Sequence, residues 1–182
     1  MSKQYKTEDR HFFEVPAEEL APWLIGKVFC HRVYDEKGRK FVIRGRIRET
    51  EAYRECDPTT DANRGAGGKA QLLSGGHLHY HSGARARLDI VAGKEGSVSS
   101  VLIRAIDPYF STSGEGQPTN AVLAMGLDEV QRLDGLDLLD NEDIWLEDDG
   151  TVIELGEPQT RVGIPGDDRL RFWAKSFSFK CK

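Results

Sequence analysis

The stretch that most limits how this chain can fold is residues 44–53, Arg-Gly-Arg-Ile-Arg-Glu-Thr-Glu-Ala-Tyr. With Val42 and Ile43 ahead of it and arginines at alternate positions, it fits a β-strand with one solvated face. The strand ends on two carboxylates, Glu49 and Glu51, with one residue between them and therefore on the same face, and Tyr53 follows there. Two readings are open. An edge strand can carry such charges merely because they face water. Alternatively, a carboxylate preceded by three cations and followed by a flat ring is a general base beside a stacking platform.

The surrounding pattern is rich in strands. Residues 16–25 read as a short helix, with Leu20, Trp23 and Leu24 on one face and Gly26 to end it. Residues 27–34 and 40–50 form an expected β-hairpin around the turn Asp35-Glu36-Lys37-Gly38. From residue 54 to 70 the apolar pattern disappears, which predicts a long loop of the kind that often carries function. Strand signals resume at 77–81, 85–92 and 98–106. In the middle one Ala86, Leu88, Ile90 and Ala92 face the core, and Arg85, Arg87 and Asp89 face the other way. Asp107-Pro108 stops the third. Thr119 can cap a helix to about Gly126, and Asp128 a second. Residues 144–155 resemble a hairpin turning at Asp148-Asp149-Gly150, and 161–164 and 170–173 read as short closing strands. Hairpins rather than regular βαβ units predict an α+β fold: one compact domain with a mixed, mostly antiparallel, curved sheet and a few flanking helices. The expected division is a flexible N-terminus over 1–15 and a domain over 16–182.

At 182 residues the chain is large enough for one sizeable core. Hydrophobic residues at 38% and charged residues at 30% fit an ordinary soluble protein. No apolar run is long enough to span a bilayer, and the first ten residues lack the apolar centre of a secretory signal, so no membrane partner is expected. Three cysteines, odd in number and far apart, fit a reducing cytosol. The expected location is cytoplasmic, nucleoid-associated in a bacterium. The net charge of −5 argues mildly against nucleic acid, but it is unevenly spread. Residues 21–110 carry 15 Lys/Arg against 10 Asp/Glu, whereas 111–160 carry 1 against 13. A basic working surface with an acidic segment turned elsewhere has this profile, as does a plain solvated acidic region.

Three imidazoles, His77, His79 and His81, project from one face if their segment is a strand. His-x-His is one way to supply zinc ligands; the other reading is a polar strand face near a cleft. No cysteine or fourth ligand is recognisable nearby in sequence, although Glu51 or Asp89 can approach in space, and no metal is expected. The glycine-rich segments 65–69 and 74–76 can cradle phosphate or simply turn the chain; neither has P-loop spacing. No Gly-x-Ser-x-Gly elbow or cysteine signature points to nucleophilic catalysis.

Taken together, the blocks Leu24-Ile25-Gly26-Lys27-Val28, Gly45–Tyr53, Gly76-His77-Leu78, Val101–Pro108, Arg161-Val162-Gly163-Ile164 and Arg171-Phe172-Trp173 resemble the alkyladenine (3-methyladenine) DNA glycosylase family. The resemblance runs from about Leu20 to Phe179. It implies a monofunctional DNA glycosylase, acting without cofactor and as a monomer on double-stranded DNA containing damaged bases. Such an enzyme flips out an alkylated or deaminated purine and hydrolyses its N-glycosidic bond, the first step of base excision repair. By the same resemblance Glu51 activates water, Arg104 supports it, and Tyr53 stacks on the base. His79, His81, Asp89 and Asp61 line the base pocket, and Arg46, Arg64, Lys69, Arg85 and Arg87 hold DNA phosphates. A non-catalytic nucleic-acid binder, an N-glycosidase acting on single strands or nucleosides, and a zinc hydrolase are the alternatives.

The departures are specific. Asp61 stands where the family usually has a histidine. His79-Tyr80-His81-Ser82-Gly83 replaces an aromatic-rich strand with a wedge tyrosine, two residues shorter here, and Ser82 is too small to fill the gap a flipped nucleotide leaves. Asp89 replaces a pocket asparagine, and Gln117-Pro118-Thr119-Asn120-Ala121 lacks a phosphate-binding lysine. These differences predict a more polar lesion pocket.

Overall fold

The computed structural model describes residues 5–6, 9–60, 65, 68–81, 86–108, 120–127, 133–164, 166 and 168–178. In chain order these form β1 (Tyr5–Lys6), α1 (Ala17–Leu24), β2 (Val28–Tyr34), β3 (Lys40–Tyr53), β4 (Leu78–His81), β5 (Arg87–Ala92), β6 (Ser99–Pro108), α2 (Ala121–Ala124), β7 (Ile144–Asp148), β8 (Val152–Leu155) and β9 (Arg171–Ser178). Short 3₁₀ turns lie at Arg10–Phe12 and Lys69–Leu72.

The sheet is built on β3, which at 14 residues is long enough to serve several neighbours. Its first half pairs with β2, from Lys40 opposite Tyr34 to Arg46 opposite Val28. Further along, Glu49–Glu51 pair with β9. The other edge pairs with β6 from Gly45 to Tyr53. The strand order is β1-β7-β2-β3-β6-β5-β4, with β9 added on β3 and β8 on β9, and the pairings are antiparallel. This is the expected α+β domain, a curled antiparallel sheet with few helices.

Period-two alternation divides the two faces of this sheet. Thr50, Ala52, Val101, Ile103, Leu88, Ile90 and Leu78 lie on the core face, each nearly or fully buried. The core is closed by α1, whose buried Ala17, Leu20, Ala21 and Leu24 recur at helical spacing. Gly26, at φ +86°, turns the chain out of that helix and donates its N–H to Ile47 O. Burying each large side chain of this cluster contributes about 1.5–3 kcal/mol.

Four expectations need correction. Residues 144–155 are not a hairpin: β7 pairs with β1 on one edge and β2 on the other, so β8 finds its partner in β9. Residues 161–164 form no strand, because the Val162 N–H is donated to the Glu51 carboxylate rather than to a ladder. The segment 9–15 is docked: Phe13 is fully buried and Arg10 pairs with Asp137. Arg46 does not stand on a solvated face; it is buried and makes two bonds to Asp149 at 2.6 and 3.1 Å. The helix after Thr119 is short, with Asn120 as its cap. Thr119, the expected helix at Asp128, and Ser82 lie outside the described residues.

Candidate active site

On the sheet face opposite the core, register brings the polar residues into rows. Glu51 is opposite Leu102, Leu102 is opposite Asp89, and Asp89 is opposite His79. Cross-strand partners point to one face, so four strands contribute to a single surface. Tyr53 extends that face along β3, opposite Ser100.

A double irregularity interrupts the ladder at this point. Ile47 pairs with Ile106, Glu49 with Ala105 and Thr50 with Ile103, so the register steps over Arg48 on β3 and Arg104 on β6. Bulges re-aim side chains in this way. Arg104 Nε sits 3.4 Å from Glu51 Oε1 and 3.5 Å from Glu49 Oε1. One guanidinium thus holds both carboxylates of the Glu-Thr-Glu block.

Glu51 is 1% exposed. Its Oε1 accepts the Val162 N–H at 2.9 Å and its Oε2 the Tyr53 hydroxyl at 3.3 Å. Burial, then the negative charge of Glu51, pushes the Tyr53 phenol well above its ordinary range. It therefore keeps its proton at neutral pH and serves as a donor. Arg161 lies over the same ring, 4.7 Å from its centre, and donates to Asp57 Oδ2 at 2.6 Å and to Ala52 O at 3.1 Å. Burial pushes the Asp57 carboxyl up, but the Thr59 hydroxyl and amide together with Arg161 outweigh it and hold it low. The 57–60 turn, Tyr53 and Arg161 are thereby locked to one another.

Beyond Tyr53 is a small pocket lined by Tyr53, Thr60, Gln71, His81, Asp89 and Leu102 among others, with about 20 Å³ of free volume. That is room for about one water molecule. Asp89 Oδ2 accepts the Ser100 hydroxyl at 3.0 Å and lies 3.5 Å from His81 Nε2. The rings of His79 and His81 meet edge-on at 4.2 Å, and His79 Nδ1 bonds Asp134 at 2.8 Å. His77, by contrast, is tied to Ser74 O and lies near Asp137. Among the described residues no group of three His, Cys, Asp or Glu side chains is placed to hold a metal.

Of the residues singled out from sequence, Glu51, Arg104, Tyr53, His79, His81 and Asp89 share this face, and the exposed Arg87 stands at its rim beside His81. Lys69 is exposed at the start of a 3₁₀ turn. Arg46 is consumed by Asp149, while Asp61, Arg64 and Arg85 lie outside the described residues. Arg161 and Val162 fall in a block that carries the family resemblance but has no role assigned from sequence, and Asp57 falls in the segment read as a long loop.

A buried carboxylate held by a cation and two donors, beside an aromatic-walled pocket, can take a proton from water and stabilise positive charge on a neighbouring carbon. The family profile for methylpurine-DNA glycosylase matches residues 11–178. The chain belongs to that family. A relative from Chlorobium phaeobacteroides (strain DSM 266) is 33% identical over 189 residues, spanning 91% of this chain and 90% of its own length. One from Chlorobaculum parvum is 32% identical over 186 residues, 90% and 84% of the two chains. Both are provisionally named as 3-methyladenine DNA glycosylases.

Proposed function

We propose that the chain is a monofunctional DNA glycosylase that receives a damaged purine nucleotide turned out of the duplex and hydrolyses its N-glycosidic bond. The observation that carries this reading is the Glu51 carboxylate, buried on the site face and held by Arg104, Tyr53 and the Val162 amide. In the reaction the C1′–N bond breaks and its electron pair leaves with the base. Positive charge develops on the sugar, and Glu51 stabilises it while taking a proton from the water whose oxygen bonds to C1′. The products are the free base and an abasic sugar. A cationic alkylated purine departs as a neutral molecule and needs no acid; a neutral deaminated purine requires protonation as it leaves.

The pocket is too small for a purine as it stands, so the base enters with movement of the His81 side chain. Asp89, a carboxylate bonded through Ser100, favours bases that present amino groups or positive charge. Asp89→Asn is expected to lower release of methylated purines about five- to tenfold relative to hypoxanthine, the ~1 kcal/mol by which a charge-assisted hydrogen bond exceeds a neutral one. An unchanged preference contradicts that role.

The whole reading is tested by incubating the protein with duplexes bearing methylated purines or hypoxanthine. The expected result is free base and an alkali-labile abasic site, with no borohydride-trapped covalent adduct, since no lysine is among the described residues lining the pocket. Duplex binding without base release points to a non-catalytic homologue. Release from single strands or nucleosides in preference to duplex points to a different N-glycosidase.

A further inference from the structure

We propose that a recess between β3 and β9 is a second nucleotide site, which holds the nucleotide adjacent in the strand to the one whose bond is cut. This rests on the glycosylase reading above. The recess encloses about 320 Å³ and is lined by Arg48, Glu49, Gln159, Arg171, Trp173 and Lys175 among others. Its volume is at the lower end of the range for small-ligand sites. Three cations and one carboxylate line it, and Asp107 and Glu154 pair with two of the cations from outside the lining; an anionic ligand is accommodated by taking the place of the exposed Glu154.

The walls are fixed in place. The Trp173 indole N–H donates to Glu157 O at 3.1 Å, and a Cβ at Gly156 would lie 2.1 Å from the indole, so only glycine permits that approach. A ring held this way is a stacking platform that costs little to order. Arg48 is anchored by Asp107 and donates to Ala174 O at 3.1 Å. Arg171 is held by Gln159 and lies 3.5 Å from Glu49 Oε1. Among the described residues Lys175 pairs with Glu154 at 3.6 Å, an exposed contact that yields readily to a phosphate. Indole for a base, cations for a phosphate, and Gln159 and Glu49 for a base edge together describe a nucleotide.

Proximity assigns that nucleotide to the strand. Glu49 Oε1 is 3.5 Å from both Arg171 and Arg104, and Arg104 is 3.4 Å from Glu51. An alternating chain of charges therefore runs from the hydrolytic carboxylate to the recess. Glu49 and Glu51 are two residues apart on one strand, about 6.7 Å, close enough for the neighbouring nucleotide to reach.

The test measures duplex binding by fluorescence anisotropy with Glu51→Gln protein, which does not depend on base release, alone and with Trp173→Leu or Lys175→Glu added. Lys175 is exposed, so its variant stays informative if the tryptophan variant fails to fold. Trp173→Leu is expected to raise Kd ~5–100-fold, the range measured for one base–aromatic stack. Lys175→Glu is expected to weaken binding and to reduce the slope of log Kd against log salt by about one. Unchanged Kd and slope in both folded variants overturn the proposal, even where wild-type base release is intact. Titration with adenosine monophosphate is the third arm. Quenching that disappears with Trp173→Leu while duplex affinity stays unchanged shows a free-nucleotide site and overturns the assignment to the strand. Absent base release with the expected Kd changes leaves the recess standing and removes the glycosylase reading.

Discussion

Glu51, Tyr53 and Arg161 act as one unit. The carboxylate orients the phenol, burial and that same charge keep the phenol protonated, and the guanidinium covers one face of the ring. Arg161→Lys keeps a cation near Asp57 but loses the flat group over Tyr53. It is expected to raise KM for damaged duplex about two- to thirtyfold, the equivalent of ~0.5–2 kcal/mol, with kcat changed less. Steady-state kinetics check this; a loss confined to kcat contradicts a positioning role. The spacing of Glu49, Glu51 and Tyr53 was legible because a strand repeats every two residues. Arg161 was not, because its bond to Asp57 spans 104 residues, and no local pattern records such a contact.

At the scale of elements, α1 and the β2–β3 hairpin were legible because each has a clean period and a turn or glycine at its end. The hairpin expected over residues 144–155 failed for a reason no local window contains: both edges of β7 are already occupied. The same omission misplaced Arg46. Its alternation with Arg44 and Arg48 suggests solvent, but the connection after β7 returns to cover it with Asp149. Arg46 is thus a clamp between β3 and the β7–β8 connection. Arg46→Met removes the guanidinium that balances the Asp149 charge and is expected to cost about 3–5 kcal/mol in denaturant unfolding. Weaker DNA binding with unchanged stability is the contrary result and restores Arg46 as a phosphate contact.

Across the whole molecule, the acidic segment is not simply turned away. Asp148 pairs with Lys27, Glu142 and Asp143 with Arg32, Glu147 with Arg44, and Asp149 with Arg46. It neutralises the cations at the β1–β7–β2 end of the sheet, while Arg87, Arg104 and Arg171 stay with the site face and recess. Composition by segment showed the imbalance but not its use. These pairs also set an acid limit. Burial pushes the Asp149 carboxyl up, but Arg46 and Thr151 outweigh it and hold it well below its ordinary 3.8; Asp57, Asp137 and Asp148 are lowered in the same sense. For carboxyls lowered on folding, the stabilisation is complete above the unfolded value and is lost as pH falls through the folded one. Thermal unfolding is therefore expected to show a steep loss of Tm below about pH 4, and Asp149→Asn a shallower one. Parallel acid limbs contradict this.

As the general base proposed above, Glu51 takes the proton from the water that cuts the glycosidic bond. The most direct measurement is single-turnover base release from a methylated-purine duplex, comparing wild type with Glu51→Gln at matched, saturating protein. The isosteric amide keeps its place between Arg104 and Tyr53 but cannot take the proton. Release is expected to fall by ~10²–10⁴-fold while duplex affinity is kept. Release within about tenfold of wild type, below the smallest contribution expected of a general base, contradicts the account.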